Sequence, residues 1–308
     1  LRRMAGWLRE HIRMQEWTGD HVGQGWFNSY YDDHGKQVDG VHGDTVRMML
    51  TGQVFTLLSG TASQEQAERI IHAADWYLYT PARGGYCLNT DFGEVKMDLG
   101  RMFGFAYGSK ENGAVFSHMA VMYAYALYSR GFVREGRKVL EQLYVHSTSF
   151  CRSVIFPGIP EYFDLDGRGM YPWLTGAASW FLLTLRTQVF GIQGEYGDLV
   201  IAPKLTSGEF AEDGEASVFC RFGGVRLHLR IFNPRKLDWN QYRIGRAKVN
   251  GHEEACTDTS LRIPASRLSQ LARRQRPAQL TGKPGQAAGH FGRTDGDMVD
   301  ITLELEKV

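Results

Sequence analysis

The chain has 308 residues, of which 35 are lysine or arginine and 34 are aspartate or glutamate, so its formal net charge is +1. This balance provides no long-range field to attract nucleic acid or an anionic membrane surface, and we expect neither as a partner. The four cysteines are widely spaced, and the sequence shows no leader pattern or long apolar run. We therefore expect free thiols, no metal site and a cytoplasmic location.

The first 190 residues repeat their apolar positions with the period of an α-helix. A helix is predicted to be running already at residue 1, with one face formed by Leu1, Met4, Leu8 and Ile12. A second is predicted at 44–60 with Asp44 as N-cap, and a third opens at Ser63, where Gln66 completes a capping-box spacing. Further helices are predicted at 113–130, 133–146 and 173–189. The long connections between helices indicate functional loops.

After Gly191 the apolar period changes to two, which is typical of strands. Alternating segments at 225–231 and 299–305, with a Gly-Gly turn after a strand at 216–222, predict an antiparallel sheet with one solvated face. Residues 272–297 are rich in glycine, proline and arginine, and we expect a mobile loop there. The chain is thus predicted to be mainly α with a β domain, divided into residues 1–190 and 191–308.

The stretch KENGAVFSHM at 110–119 combines several ligand-binding groups where a helix is predicted to begin. Asn112 and Gly113 are predicted to mark the helix entry, whose free N–H groups and dipole favour an anion. His118 is then either an anion ligand or an ordinary core histidine. Glu111 is a sugar ligand, an acid or a helix cap. The residues alone leave these alternatives open.

A second polar stretch, at 156–180, places Glu161, Asp164 and Arg168 shortly before another predicted helix. Thr175 suits a simple N-cap, but with the adjacent Gly176 it also suits an oxyanion contact, because glycine allows close backbone approach.

A third polar stretch, at 25–40, contains Asp32 and Asp33, which are turn formers or a carboxylate pair of the kind that hydrolyses glycosides.

Four stretches of the chain, taken in order, resemble the C-terminal half of the family 94 glycoside phosphorylases. They are GWFNSYYDDHG, KENGAVFSH, GRGMYPWLTGAASWFLL and GEYGDLVIAPKL. The resemblance implies the second half of an (α/α)6 barrel followed by a C-terminal antiparallel β-sandwich of the jelly-roll kind. It also implies a glycosyltransferase-type reaction without a cofactor. Inorganic phosphate, as a substrate, cleaves a β-linked gluco-oligosaccharide with inversion and releases α-glucose 1-phosphate.

The resemblance also assigns roles to individual positions. The phosphate-binding positions are matched by His118, Thr175 and Gly176. Lys110 and Glu111 match positions that face the sugar, and Arg168 lies in a GRG that only some members share. We expect sugar to be bound by Lys110, Glu111, Glu161 and Arg168.

The family's general acid is the aspartate of an upstream WND motif that this chain does not contain, and DWNQ at 238–241 has Gln241 in its place. We therefore expect the C-terminal part of a longer, homodimeric enzyme, inactive by itself. PGIPEYFDLDGRGMYPWLTG favours the 1,2-β-oligoglucan phosphorylases over the cellobiose enzymes. Two alternatives are an (α/α)-barrel hydrolase that draws its carboxylate pair from Glu111, Glu161 or Asp164, and a non-catalytic carbohydrate-binding fragment.

Overall fold

The structure is a computed structural model that describes residues 1–19, 23–155, 158–173, 175–274 and 298–308, with backbone only for 272–274. The chain forms two compact units, Leu1–Thr184 and Leu185–Val308. The first is mainly helical and the second mainly β. Within the described residues, no helix has the length and apolar character needed to cross a bilayer.

The first unit combines helices with short strand pairs. Its described elements are α1 (Arg2–Gln15), β1 (Trp17–Gly19), β2 (Gly25–Phe27), β3 (Gly40–His42), β4 (Thr45–Arg47), α2 (Leu50–Leu58), α3 (Gln64–Tyr77), β5 (Tyr79–Thr80), β6 (Gly85–Tyr86), β7 (Val115–Phe116), α4 (Ser117–Ser129), α5 (Val133–Thr148), α6 (Phe150–Ser153), β8 (Tyr162–Phe163), β9 (Gly169–Met170) and α7 (Gly176–Thr184). Two 3₁₀ segments lie at Pro81–Arg83 and Met97–Gly104.

Helix α4 is the centre of this unit and contacts α2, α5 and α7. It is apolar on nearly every face and is buried from Met119 to Tyr128 except at Tyr125, as expected for a helix without a polar face. The predicted start of α3 is confirmed, because Gln66 donates its N–H to Ser63 Oγ at 3.1 Å and Ser63 donates its own to Gln66 Oε1 at 3.0 Å.

Helix α1 is confirmed, but it buries none of its residues. Met4 and Trp7, on its apolar side, remain 70% and 62% exposed. Its C-terminal turn is attached to the rest of the unit by Arg13, whose Nε donates to the carbonyl of Thr61 at 2.7 Å. The first two turns of the apolar face of α1 are therefore largely exposed among the described residues, whereas Ile12 near its end is partly buried.

Two predicted helix starts are wrong. The predicted helix at 44–60 begins instead at Leu50, because Gly43 and Asp44 form the tight turn between β3 and β4. The backbone N–H of Met49 donates to Asp39 Oδ1 at 2.6 Å, which holds this residue extended. The helix predicted at 113–130 begins at Ser117, because the preceding strand β7 pairs with β8.

Helix α7 starts at Gly176, three residues after the predicted position. The predicted end near residue 189 belongs to a π-helical turn at Leu185–Val189. Helix α5 agrees with its prediction to within two residues at its end.

The second unit is built on two sheets. Its described strands and helix are β10 (Ile192–Glu195), β11 (Asp198–Ile201), β12 (Glu215–Phe222), β13 (Val225–Phe232), β14 (Tyr242–Val249), β15 (His252–Glu254), β16 (Leu261–Ile263), α8 (Ala265–Arg274) and β17 (Val299–Lys307). The strand orders are β10-β11-β16 and β12-β13-β17-β14-β15.

The predicted alternation in this unit is confirmed. Val225, Leu227, Leu229 and Ile231 are buried, whereas the intervening residues of β13 are partly exposed. The expectation of a purely antiparallel sheet is wrong for one pair, since β13 and β17 run parallel. The long chain between them, residues 233–298, is sufficient for such a crossover.

Helix α8 was missed by the sequence patterns, and its last turn takes up residues 272–274 of the predicted loop. The remainder of that loop, 275–297, lies outside the described residues.

Candidate functional site

His118 and Gly176 lie in direct contact at the first turns of α4 and α7. A Cβ atom built on Gly176 would be 2.4 Å from both Cε1 and Nδ1 of the His118 ring. The imidazole thus rests on the glycine backbone, and a larger residue at 176 would have to displace it. His118 is the second residue of α4, because this helix begins at Ser117 and not at the predicted residue 113.

The His118 ring lies in a largely aromatic environment. Its centroid is 5.8 Å from that of Phe116 and 5.9 Å from that of Trp180. Burial lowers the pKa of His118 below its ordinary value, and the nearby carboxylate of Glu161 partly opposes this shift. Nε2 is buried and has no hydrogen-bond partner among the described residues. Such a nitrogen is ready to bind a polar ligand atom, because buried polar groups are normally paired.

Thr175 caps helix α7. Its Oγ1 accepts a hydrogen bond from the backbone N–H of Ala177 at 3.3 Å, which agrees with the N-cap interpretation. The hydroxyl hydrogen is not used by that bond, so it can also donate to an oxyanion. Because Gly176 touches His118, the cap, the glycine and the histidine form one cluster at the helix N-terminus.

The KENG segment is a tight turn and not a helix entry. Asn112 donates its backbone N–H to Ser109 at 3.1 Å, and its carbonyl accepts from Gly108 at 2.6 Å. Its buried side chain donates to the carbonyl of Phe105 at 2.9 Å. The prediction that Asn112 and Gly113 open a helix is therefore wrong, and the asparagine is part of the turn's internal support.

Asn89 holds this turn from a separate segment of the chain, and the sequence patterns did not single it out. The side chain is fully buried. Its Nδ2 donates to Asn112 Oδ1 at 3.1 Å, and its Oδ1 accepts from the backbone N–H of Gly113 at 2.8 Å. The only available signal was an amide residue within a long, glycine-rich connection.

Lys110 is held between two aromatic rings. Its Nζ lies 5.1 Å from the ring centroids of both Phe105 and Tyr171, within the range of a cation–π contact. Its backbone has a φ of 50°, an unusual conformation for a lysine. A cavity of about 290 Å³ adjoins this turn, with Phe105, Tyr107 and Asn112 in its wall.

Of the two carboxylate oxygens of Glu111, one has a partner and the other has none among the described residues. Oε1 forms an ion pair with Arg101 at 3.1 Å, whereas Oε2 is buried without a hydrogen-bond partner among the described residues. Burial, with a further contribution from the Glu111 charge, raises the pKa of Tyr162 to about 12. The free carboxylate oxygen is thus available to a hydroxyl ligand, and it does not cap a helix.

Glu161 lies beside the start of α4. Its carbonyl accepts from the backbone N–H of Ser117 at 2.9 Å, and its N–H donates to the carbonyl of Met170 at 3.2 Å. These bonds bring its charge close enough to influence His118.

Arg168 lies elsewhere, on the turn between β8 and β9. Asp164 closes this turn, since its Oδ1 accepts from the backbone N–H groups of Asp166 and Arg168 at 2.9 Å each. The exposed Arg168 side chain lines a cavity of about 840 Å³ to which no other predicted site residue contributes. The structure therefore brings Glu161 to the histidine cluster and leaves Arg168 at a different cavity.

Asp32 is a turn former, as one interpretation held. Its Oδ1 accepts from the N–H groups of His34 at 2.9 Å and Lys36 at 2.8 Å. The carboxyl that sequence reasoning missed is Asp39, which is 2% exposed and accepts from Ser29 at 2.8 Å and Met49 at 2.6 Å. Burial raises the pKa of Asp39 to about 7.

The four cysteines are free thiols, as predicted. Among the described residues, no three His, Cys, Asp or Glu side chains are grouped so as to hold a metal ion.

The cluster at α4 and α7 and the neighbouring KENG turn are of the kind that can bind an anion beside a polyhydroxyl ligand, as carbohydrate-active proteins do. Residues 1–145 match the family model of the glycosyl hydrolase 94 superfamily, catalytic domain. Residues 1–145 are thus similar to the family 94 catalytic domain, and the resemblance predicted from the motifs is confirmed.

Individual relatives are distant. An N,N'-diacetylchitobiose phosphorylase of Vibrio proteolyticus is 26% identical over 75% of this chain and 29% of its own length. A solabiose phosphorylase of Paenibacillus borealis is 25% identical over 83% of this chain and 33% of its own length. A cyclic β-(1,2)-glucan synthase of Rhizobium meliloti is 26% identical over 65% of this chain and 7% of its own length. The chain spans about a third or less of these relatives.

Proposed function

We propose that this chain is part of an inverting glycoside phosphorylase that cleaves β-linked gluco-oligosaccharides with inorganic phosphate and releases α-glucose 1-phosphate. The observation that carries the proposal is the contact between His118 and Gly176, with the Thr175 hydroxyl at the same helix N-terminus. Phosphate is an oxyanion that an imidazole, a hydroxyl and free helix N–H groups can bind together. The phosphorylase names of two relatives support this choice.

In the proposed site, Lys110, Glu111 and Glu161 contact the sugar. Arg168 binds a sugar at the separate cavity that it lines. The aromatic residues beside the KENG turn provide flat apolar surfaces that suit sugar rings. Glu111 Oε2, unpaired in the described part of the chain, is an acceptor for a sugar hydroxyl.

The chemistry requires a general acid, because the leaving sugar oxygen must be protonated while phosphate attacks the opposite face. We propose that this acid is an aspartate upstream of the present chain, so these 308 residues alone do not turn over substrate. Residues 1–190 would then belong to an (α/α)6 barrel and 191–308 to a jelly-roll-like sandwich. We also propose a cofactor-free, cytoplasmic homodimer for the full-length enzyme, with its free thiols suited to a reducing compartment.

For the substrate we favour a β-1,2-linked glucan over cellobiose. The PGIPEYFDLDGRGMYPWLTG stretch supports this preference, and one relative is a cyclic β-(1,2)-glucan synthase. A hydrolase that uses Asp164 receives less support, because this carboxylate already accepts two backbone hydrogen bonds in its own turn.

The test is a phosphorus NMR assay of the full gene product with β-1,2-glucobiose or cellobiose and inorganic phosphate. We expect α-glucose 1-phosphate to accumulate, faster from the β-1,2-linked sugar, and only when phosphate is present. Free glucose produced at the same rate without phosphate would contradict the proposal.

Two variants separate the phosphate contact from helix capping. Thr175→Ser keeps the cap and the hydroxyl and should retain activity, whereas Thr175→Asp keeps a capping oxygen but repels phosphate. The second variant should raise the KM for phosphate at least tenfold, while its melting temperature stays near that of the native enzyme. If both variants had the same KM for phosphate, Thr175 would be only a cap.

A further inference from the structure

A cavity of about 840 Å³ in the first unit has none of the His118 cluster residues in its wall. Its wall is formed by the C-terminal half of α5, by α6 and by the turn between β8 and β9. The polar side chains that line it are Gln142, His146, Cys151, Arg152, Asp166 and Arg168. This volume is within the range of small-molecule sites and exceeds that needed for a bare inorganic ion.

Two guanidinium groups give the cavity its positive charge. Arg152 lines the cavity from α6, and Arg168 lines it from the turn between β8 and β9. Within the described residues neither arginine forms an ion pair with a carboxylate. Asp166 contributes the single opposing charge, so the formal charge of the wall is two positive groups against one negative group. Arginine pairs bind phosphate and carboxylate groups well, because the planar guanidinium offers two parallel donors.

His146 supplies an unused acceptor in the same wall. The residue is 1% exposed, and Nε2 lies 2.8 Å from the carbonyl oxygen of Gly167. A carbonyl can only accept, so Nε2 carries the hydrogen and Nδ1 is an acceptor in the neutral ring. Nδ1 is buried without a hydrogen-bond partner among the described residues. A ligand hydroxyl would satisfy it.

We propose that this cavity is a second ligand site, which binds an anionic monosaccharide. The oxyanion pairs with Arg152 and Arg168, and sugar hydroxyls bond to His146 Nδ1 and the Asp166 carboxylate. Phosphate esters and sugar acids share this chemistry, since each combines an oxyanion with a polyhydroxyl ring. The inference assigns Arg168 to the anionic end of this ligand and does not depend on phosphorolysis at His118.

The experiment uses the chain with the substitution His118→Ala, which silences the proposed phosphate site. Calorimetric titrations compare glucose 1-phosphate, glucuronate, inorganic phosphate and glucose. We expect saturable binding of glucose 1-phosphate or glucuronate, weaker binding of phosphate and none of glucose. The preferred anionic sugar identifies the physiological oxyanion as phosphate or carboxylate.

Variants test whether the cavity is responsible. Arg152→Ala and Arg168→Ala should each weaken binding about tenfold, and Arg152→Lys should lose less because it keeps the charge. Arg3→Ala removes an exposed arginine of α1 that does not line the cavity and should bind as the parent does. Circular dichroism and melting curves verify that each variant is folded.

Three results would overturn the proposal. These are no saturable binding of either anionic sugar, affinity unchanged in both folded alanine variants, or phosphate binding as tightly as glucose 1-phosphate. None of them affects the proposed phosphorolysis, whose own test is the phosphate-dependent formation of α-glucose 1-phosphate and the Thr175 variants.

Discussion

Gly176 lies so close to His118 that a Cβ atom at this position would overlap the imidazole ring, at 2.4 Å from two of its atoms. Gly176 is not among the glycines with a positive φ, so a left-handed backbone conformation does not explain why a glycine stands here. Its role is the close approach itself, which sets the ring of one helix against the first turn of another.

Replacing Gly176 with alanine should displace His118 and weaken phosphate binding at least tenfold. The added methyl group should also cost about 1–3 kcal/mol of stability through overpacking. Phosphate titration and urea denaturation measure the two effects. The matched control is Gly6→Ala in α1, where a new Cβ meets nothing within 4 Å and should stabilise the helix slightly. Equal behaviour of the two variants would argue against the contact.

Bound phosphate should raise the pKa of His118. Burial now lowers this pKa from its ordinary value of 6.5, and a nearby dianion favours the protonated ring. Binding near neutral pH should therefore be accompanied by proton uptake. A proton NMR titration of the histidine Cε1–H signals with and without phosphate measures the shift. Exposed His72 in α3 is the internal control, and equal shifts at both histidines would mean nonspecific binding.

The stability of the chain should carry a pH dependence that comes from Asp39. Burial raises the folded pKa from 3.8 to about 7, so this group's contribution is fully present below pH 3.8 and is lost as the pH rises toward 7. Asp39→Asn should remove that slope, although the lost acceptor lowers the free energy of unfolding by about 1–3 kcal/mol throughout. Urea denaturation between pH 4.5 and 8 provides the measurement.

Asp32→Asn is the control for that slope. Backbone hydrogen bonds lower the pKa of Asp32, so its contribution is present above pH 3.8 and is lost as the pH falls through the lowered value. Its substitution should leave the profile above pH 5 unchanged. If Asp39→Asn kept the parent's slope between pH 4.5 and 7, its carboxyl would not be the group responsible.

Asn89 and Asn112 should behave as a coupled pair. Asn89→Ala leaves the buried Gly113 N–H and Asn112 Oδ1 without partners and should destabilise the chain by about 2 kcal/mol or more. Asn112→Ala should have a comparable effect, and the double variant should lose less than the sum of the two. Chemical denaturation of all four proteins tests this. Strict additivity would exclude coupling through the amide contact.

Sequence patterns correctly predicted the elements that are defined by contacts between residues close together in the chain. The capping box at Ser63 and the alternation through β13 depend on local spacing, so the sequence contains the necessary information. The predicted helix starts near Asp44 and Gly113 failed because strand pairing and side-chain hydrogen bonds, which the helical period does not reveal, hold those segments out of the helix. In the first case the partner is the carboxylate of Asp39, and in the second it is the strand β8.

In the candidate site, too, the residues within local motifs were predicted, whereas those that act through other segments were missed. Motif resemblance drew attention to His118, Thr175 and Gly176 together, and the structure places all three in one cluster where the N-termini of α4 and α7 meet. Asn89 and Asp39 were missed, because each acts through hydrogen bonds to residues at least ten positions away, which no local spacing reveals. Arg168 could not be assigned to a cavity from its sequence neighbours, since α5 and α6 form the other side of that cavity.

The Asn112–Gly113 peptide is of the type most prone to spontaneous deamidation, in which the glycine nitrogen attacks the asparagine side chain to form a succinimide. In this fold that nitrogen is committed to Asn89 Oδ1 at 2.8 Å, and the Asn112 amide is held at both its oxygen and its nitrogen. Asn250–Gly251 carries the same dipeptide on an exposed turn, where Asn250 Oδ1 accepts from the backbone N–H of Asp300 at 2.9 Å but the asparagine is not buried. A stored preparation should therefore accumulate isoaspartate at Asn250 while the KENG turn stays chemically intact for as long as the chain remains folded.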